Sequence, residues 1–128
     1  MRRYLLIDDD DIISVIHPII INRVDLNADI ELMREGTEAL DYLRKLKEEG
    51  QAAPDIIFLD INMPLMNGFE FLSSLNDEEK TFLKNTKIIM LSSTIDPRDT
   101  EKAKNFPLIT DFITKPLSVE YLGRLLNL

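Results

Sequence analysis

The stretch that decides the fold is Asp55-Ile-Ile-Phe-Leu-Asp60-Ile-Asn-Met-Pro64-Leu-Met-Asn-Gly68. Its apolar run at residues 56–59 is short, partly β-branched and preceded by a proline, which predicts a strand buried on both faces. Asp60 follows this run directly, and Pro64 and Gly68 then indicate a loop that leads into a helix. Because ligands of open α/β sheets bind at the carboxyl ends of the strands, Asp60 is predicted to lie at a binding edge.

The composition is that of one globular domain without disulfide bonds. The chain has 128 residues, of which 45% are hydrophobic and 30% are charged, and it contains no cysteine. This length is sufficient to bury a hydrophobic core, and thiolate metal sites are excluded. The single histidine, His17, cannot form a His-rich metal site, and we expect it on a helix surface. We expect residues 1–128 to form one domain, with no second, effector domain.

The charge distribution argues against nucleic acid and membranes as partners. The formal net charge is −8, which disfavours binding to DNA and to anionic lipid surfaces. No apolar run approaches the ~20 residues of a membrane span, and charged residues begin too early for a signal peptide. We therefore expect a cytoplasmic protein. Part of the negative charge is local, because residues 8–11 are four consecutive aspartates, and such a cluster suggests that a cation belongs there.

Strands and helices are predicted to alternate along the chain. The hydrophobic patterns predict strands at residues 4–7, 29–34, 56–59, 87–91 and 108–113, and helices at residues 12–23, 38–49, 68–75, 97–105 and 119–126. The polar segment 76–86 is predicted to be an exposed helical turn and a loop, and Pro18 is expected to kink or divide the first helix. This alternation predicts a doubly wound α/β fold of five βα units, with a parallel sheet covered by helices on both faces.

Polar side chains follow four of the five predicted strands. They are Asp8 and Asp9 after strand one, Asp60 after strand three, Ser92 after strand four and Lys115 after strand five. In a sheet of order 2-1-3-4-5, strands one and three are neighbours, so the carboxylates would line one pocket at the switch point. Hard oxygen ligands favour Mg²⁺, an aspartate can attack phosphorus, and a lysine and a hydroxyl can bind phosphoryl oxygens. The set therefore suits phosphoryl chemistry.

These strand ends resemble the receiver domains of bacterial two-component response regulators. The resemblance covers the whole chain and rests on four motifs in order: Leu-Leu-Ile-Asp8-Asp9, Ile-Ile-Phe-Leu-Asp60-Ile-Asn62-Met63-Pro64-Leu-Met-Asn-Gly68, Ile-Ile-Met-Leu-Ser92-Ser93 and Phe112-Ile-Thr-Lys115-Pro116. It implies a stand-alone, chemotaxis-regulator-like receiver with the flavodoxin-like (βα)5 fold and strand order 2-1-3-4-5. It also implies a phosphorylation-dependent switch and not an enzyme, because such a domain catalyses only its own phosphoryl transfer and dephosphorylation.

The resemblance assigns the chemical roles to five residues. It implies that Asp60 accepts the phosphoryl group. It implies that Asp9, Asp8 and Asp60 bind Mg²⁺ together with the backbone carbonyl of Asn62. Lys115 would pair with Asp60 at rest and with the phosphoryl group afterwards.

The resemblance also implies which residues would respond to phosphorylation and which kinds of protein would be partners. Ser92 would move its hydroxyl toward the phosphoryl group, Phe112 would change rotamer with it, and the peptide bond between Lys115 and Pro116 would be cis. The donor would be a sensor histidine kinase or a histidine phosphotransfer protein, and the signal would pass to an unidentified downstream protein. Asn67 stands where the family usually has aspartate, and we interpret it as a turn residue.

Two other classes of function remain open from the residues. An aspartyl-nucleophile phosphatase of the haloacid dehalogenase type would need a second aspartate two positions after the nucleophile. That position is Asn62 after Asp60, although Asp10 does follow Asp8 with this spacing. A binding module that no longer uses phosphate is the other alternative, and Ser93, larger than the family's usual glycine or alanine, would be consistent with it.

Overall fold

The computed structural model describes residues 1–127 and contains five strands and six helices in this part of the chain. The strands are β1 (Arg3–Ile7), β2 (Asp29–Met33), β3 (Ile56–Asp60), β4 (Lys87–Ser92) and β5 (Ile109–Thr114). The helices are α1 (Asp11–Val24), α2 (Gly36–Glu48), α3 (Gly68–Ser73), α4 (Asp77–Phe82), α5 (Pro97–Ala103) and α6 (Val119–Leu125). Within residues 1–127, no helix combines the length and the apolar character needed to cross a membrane.

The five strands form one parallel sheet in the order β2-β1-β3-β4-β5, as predicted. All five residues of the central strand β3 are buried. Ile57 and Leu59 pack in the core on the side of α2 to α5, whereas Ile56 and Phe58 pack against α1 and α6 on the other side. This alternation follows from the period of two along a strand. The sheet is therefore the middle of three layers, and its carboxyl edge is left open for side chains from the loops.

The segment 76–86 is more structured than the prediction of an exposed turn and a loop. It contains helix α4, whose N-cap Asn76 and third residue Glu79 form a capping box. Glu79 is buried, and its carboxylate accepts a hydrogen bond of 2.5 Å from Arg44 of α2. Leu83, directly after α4, is buried in the core. The charged composition of the segment concealed these two buried side chains.

The structure bears on two predictions about α1, one of which it corrects. The helix is not divided at Pro18, which lies inside one continuous α-helix. The prediction that His17 lies on the helix surface is wrong, since the side chain is only 1% exposed and its Nε2 accepts a hydrogen bond from the backbone of Leu117. The error arose because α1 is apolar on all sides, so its sequence does not reveal which face is inward.

Candidate active site at the carboxyl edge of the sheet

Asp8, Asp60 and Lys115 meet at the carboxyl edge, in the predicted place. Ile7 of β1 is paired with Leu59 of β3, so Asp8 and Asp60, the next residue of each chain segment, emerge side by side. The Nζ of Lys115, directly after β5, lies 3.0 Å from Asp8 Oδ2 and 3.3 Å from Asp60 Oδ1. Asp8 and Asp60 are 5% and 3% exposed, so one ammonium group is shared between two buried carboxylates.

The electrostatics of this cluster favour an additional positive charge. Burial and the negative charge of Asp8 raise the pKa of Asp60 from its ordinary 3.8 to about 6, against the opposing charge and hydrogen bond of Lys115. Burial alone would lower the pKa of Lys115, but its hydrogen bond to Asp8 and the charges of Asp60 and Asp8 raise it. The lysine therefore stays charged, while the two carboxylates repel each other and together exceed its charge.

Three carboxylates are arranged as a hard cation would require. Ligand oxygens of Asp8, Asp9 and Asp60 all lie within 4.8 Å of one another. The backbone N–H of Asp10 donates a hydrogen bond of 2.9 Å to Asp8 Oδ1, and that of Asn62 donates one of 3.3 Å to Asp60 Oδ1. Oxygen donors without nitrogen or sulfur suit Mg²⁺, which also retains several waters. The residues present thus fit a divalent cation of this kind.

The loop after Asp60 approaches the backbone so closely that it needs a glycine. A Cβ on Gly68 would lie 2.8 Å from the carbonyl oxygen of Asp60 and 3.2 Å from Ile61 Cα. The N–H of Gly68 donates to the carbonyl of Ile61 at 2.9 Å, which closes the loop over residues 61–68. Asn67, interpreted from the sequence as a turn residue, is the N-cap of α3 and forms a capping box with Glu70. The spacing from Asp60 to Gly68 therefore has a local steric reason.

Ser92 and Phe112 lie on β4 and β5, and the Ser92 hydroxyl is hydrogen-bonded to its own loop and not to the carboxylates. Ser92 ends β4 and is buried, and its hydroxyl donates to the backbone carbonyl of Thr94. Its own carbonyl accepts a hydrogen bond of 2.8 Å from the N–H of Lys115. Phe112 is half-buried against the core on the side of α2 to α5. The switch roles of both residues stay predictions.

Sequence reasoning missed Arg34, which contacts the acidic loop. Its guanidinium forms an ion pair with Asp11 and donates a hydrogen bond of 3.2 Å from Nη2 to the backbone carbonyl of Asp9. Asp10, and not Asp11, is the helix cap, since its carboxylate accepts from the N–H groups of Ile12 and Ile13. Arg34 comes directly after β2. This position at the carboxyl edge of the sheet could have predicted that Arg34 lies near the acidic residues that follow β1. The peptide bond between Lys115 and Pro116 is cis, as the resemblance implied.

The chain belongs to the response regulator receiver domain family, whose profile matches residues 4–127. A two-component response regulator from Cytophaga hutchinsonii has 33% sequence identity and a TM-score of 0.89, with 99% of this chain and 95% of that chain covered. The chemotaxis protein CheY4 of Vibrio cholerae has 29% identity and a TM-score of 0.72 over 99% of this chain and 97% of its own. The family and fold predicted from the sequence are thereby confirmed.

Curated relatives extend this similarity to longer proteins. The probable methanogenesis regulatory protein FilR2 of Methanothrix harundinacea is 29% identical over 120 residues, which is 94% of this chain and 76% of that protein. The sensor histidine kinase CheAY of Helicobacter pylori is 38% identical over 88 residues, 69% of this chain and 10% of the kinase. Receiver domains are switches of phosphorylation-dependent two-component signalling, and this chain has that function.

Proposed function

We propose that Asp60 accepts a phosphoryl group from a phospho-histidine of a partner protein. The observation that supports this most strongly is the buried cluster in which Lys115 contacts both Asp60 and Asp8 at hydrogen-bonding distance. Burial and the neighbouring carboxylate disfavour the negative charge of Asp60. Transfer of the phosphoryl group joins the carboxylate oxygen to phosphorus, and the P–N bond to the donor histidine breaks with its electron pair going to the imidazole.

The remaining residues bind and orient the incoming group. We assign Asp8, Asp9, Asp60 and the backbone carbonyl of Asn62 as the residues that would hold Mg²⁺, which supplies positive charge to the phosphoryl oxygens when it is bound. The ammonium group of Lys115 is already held at the site by two carboxylates, so it can turn to a phosphoryl oxygen without a change of protonation. The chain accepts one group and does not turn over a substrate.

The signal would pass through a rearrangement near β4 and β5. We propose that the Ser92 hydroxyl leaves the carbonyl of Thr94 for the phosphoryl oxygens, and that Phe112 repacks in response. The charge added by phosphorylation would favour this second arrangement of the β4–α5 loop. A downstream protein that binds only one of the two arrangements would then read the state of Asp60.

The exposed side of α1 is the surface we assign to the donor protein. Ile12, Val15 and Ile19 recur at helical spacing and are 69%, 63% and 57% exposed. The helix begins directly after the acidic loop, so a protein that brings a histidine to Asp60 must approach its first turn. Replacing Val15 with serine should slow transfer from a phosphorylated histidine phosphotransfer domain and leave transfer from phosphoramidate unchanged.

Intact mass spectrometry tests the acceptor directly. Wild-type protein is incubated with phosphoramidate, with Mg²⁺ or with chelator, beside Asp60→Asn and the control Asp41→Asn, which removes an exposed carboxylate on α2. One phosphoryl adduct that requires Mg²⁺, persists in Asp41→Asn and is absent in Asp60→Asn is the expected result. An adduct that persists in Asp60→Asn would show that another residue is the acceptor.

The same proteins separate the alternative functions when a phosphate ester or a phosphorylated histidine phosphotransfer domain is supplied as the phosphoryl donor. Continuous hydrolysis of a phosphate ester without a stable adduct would indicate a phosphatase. Absence of any adduct with both phosphoramidate and a phosphorylated histidine phosphotransfer domain would indicate a binding module that does not use phosphate. Either outcome would contradict the proposed transfer of a phosphoryl group from a phospho-histidine to form an adduct that persists on Asp60.

A further inference from the structure

His17 is a buried polar residue on an otherwise apolar interface. The interface between α1 and α6 contains Ile21 and Leu122, both fully buried, and His17 is 1% exposed beside them. Its Nε2 accepts a hydrogen bond of 3.1 Å from the backbone N–H of Leu117, a residue 100 positions later in the chain. An imidazole nitrogen that accepts is unprotonated, so the ring is neutral with its proton on Nδ1. Burial lowers the pKa of His17 to about 4, which is consistent with this state.

The hydrogen bond holds the segment that carries Lys115. Residues 115–118 connect β5 to α6, and their backbone is held at Lys115 and at Leu117. At one end the N–H of Lys115 donates to the carbonyl of Ser92 at 2.8 Å, and at the other the N–H of Leu117 donates to His17. Leu117 is itself only 2% exposed, so water cannot readily replace the imidazole as its acceptor. His17 therefore fixes the backbone two residues beyond the lysine that binds the carboxylates.

A histidine is not what packing alone would select at this position. An apolar side chain of similar size would fill the space between α1 and α6 without the cost of burying a ring nitrogen. Only an acceptor at the position of Nε2 satisfies the N–H of Leu117. The charged groups that act on the ring are Asp8, Asp10 and Lys115, which lie at the carboxyl edge of the sheet. The ring thus connects the interior face of α1 to the carboxyl edge of the sheet.

We propose that His17 is a positioning residue for phosphoryl transfer, which acts by holding the β5–α6 segment so that Lys115 is directed between Asp8 and Asp60. This inference rests on the proposed function, because it assumes that Lys115 assists transfer to Asp60. A displacement of the segment by a fraction of an ångström would move the ammonium group away from the reacting oxygens. Misplacement on this scale lowers rates by about tenfold to a hundredfold.

The test compares phosphorylation rates with phosphoramidate and Mg²⁺ in variants that keep or remove the acceptor. His17→Leu is expected to lower the rate constant by about tenfold. His17→Gln, whose amide oxygen can reach the position of Nε2, is expected to restore it to within about threefold of wild type, a residual loss well below that expected for misplacement. Ile21→Ala removes packing from the same inner face of α1 without touching the Leu117 hydrogen bond, and serves as the control for loosening of the interface.

A double-mutant cycle distinguishes positioning from general destabilisation. If His17 acts through Lys115, His17→Leu should have no further effect on the rate in a Lys115→Met background. An equal loss in both backgrounds, or an equal loss in Ile21→Ala, would overturn the proposal. Should the double variant react too slowly to measure, the Lys115 Cε resonance is followed instead. It should shift in His17→Leu and remain in place in His17→Gln and Ile21→Ala, and an unchanged resonance in His17→Leu would overturn the proposal.

The failure of this inference can be distinguished from failure of the proposed function. A wild-type adduct on Asp60 with His17→Leu reacting at the wild-type rate contradicts the positioning role alone. Absence of the adduct in wild type, or its persistence in Asp60→Asn, contradicts the proposed function and the inference together. Circular dichroism and urea unfolding of each variant confirm that the proteins compared are folded.

Discussion

The two ends of the sheet both bury polar side chains, but they satisfy them differently. At the amino end, the Tyr4 hydroxyl donates a hydrogen bond of 2.8 Å to Asp25, which also lies 3.4 Å from Arg2. This carboxylate has one phenolic donor and one cation. At the carboxyl end, Asp8 and Asp60 share the single ammonium group of Lys115. Negative charge is balanced at one end and exceeds the positive charge at the other.

The difference indicates which end serves stability and which serves function. At the amino end, burial and the hydrogen bond to Asp25 raise the pKa of Tyr4, so the phenol stays neutral as the donor that Asp25 needs. At the carboxyl end, burial and Asp8 raise the pKa of Asp60, which means that its charged form is less stable in the folded protein than in water. A bound cation would offset the excess negative charge at the carboxyl end.

The largest change in stability is expected on removing the shared cation. Lys115→Met leaves two buried carboxylates without a partner, so the free energy of unfolding at pH 7.5 should fall by about 3 kcal/mol. The measurement is urea unfolding in chelator, with the exposed lysine variant Lys84→Met as control. The loss should be smaller at pH 5, where Asp60 takes up a proton. Equal effects of the two substitutions would contradict the charge imbalance.

An opposite and somewhat smaller change is expected on removing one carboxylate. With its pKa raised from 3.8 to about 6, Asp60 adds stability below pH 4 that is lost as the pH rises through 6. Asp60→Asn should therefore unfold with a free energy about 2 kcal/mol higher than wild type at pH 7.5 in chelator. This gain in stability should disappear near pH 4, where Asp60 of the wild-type protein is protonated and therefore neutral, like the asparagine of the variant. If the free energies of unfolding of wild type and variant changed in parallel with pH, the charged form of Asp60 would not be destabilised by its surroundings.

The smallest change is expected at the amino end. Tyr4→Phe removes one hydrogen bond and leaves Asp25 with Arg2, so unfolding should become easier by about 1 kcal/mol. Formation of the Mg²⁺-dependent adduct should be unchanged, since the site is at the other edge of the sheet. A gain in stability, or a slower phosphorylation, would mean that the two ends do not differ as described.

The fold and most of the site were predictable, because their signals are local. The run 56–59 predicted a buried strand, and the residues directly after the strands identified Asp8, Asp60 and Lys115 before their distances were known. Boundaries differed by one or two residues, as where Asp60 proved to be the last residue of β3. Arg34 was missed because its contact with Asp9 depends on the pairing of β2 with β1, which no local pattern states.

The sequence by itself determined the alternation of strands and helices apart from α4, the parallel sheet and most of the residues at its carboxyl edge. Hydrophobic periodicity, turn residues and helix caps are properties of neighbouring residues, so they can be read along the chain. Tertiary structure alone decided that His17 faces inward to Leu117 and that Lys115 lies between two carboxylates. The contact of His17 with Leu117 joins residues 100 positions apart, and that of Lys115 with Asp8 joins residues 107 positions apart. They form only when packing selects one face of α1 and brings the strand ends together.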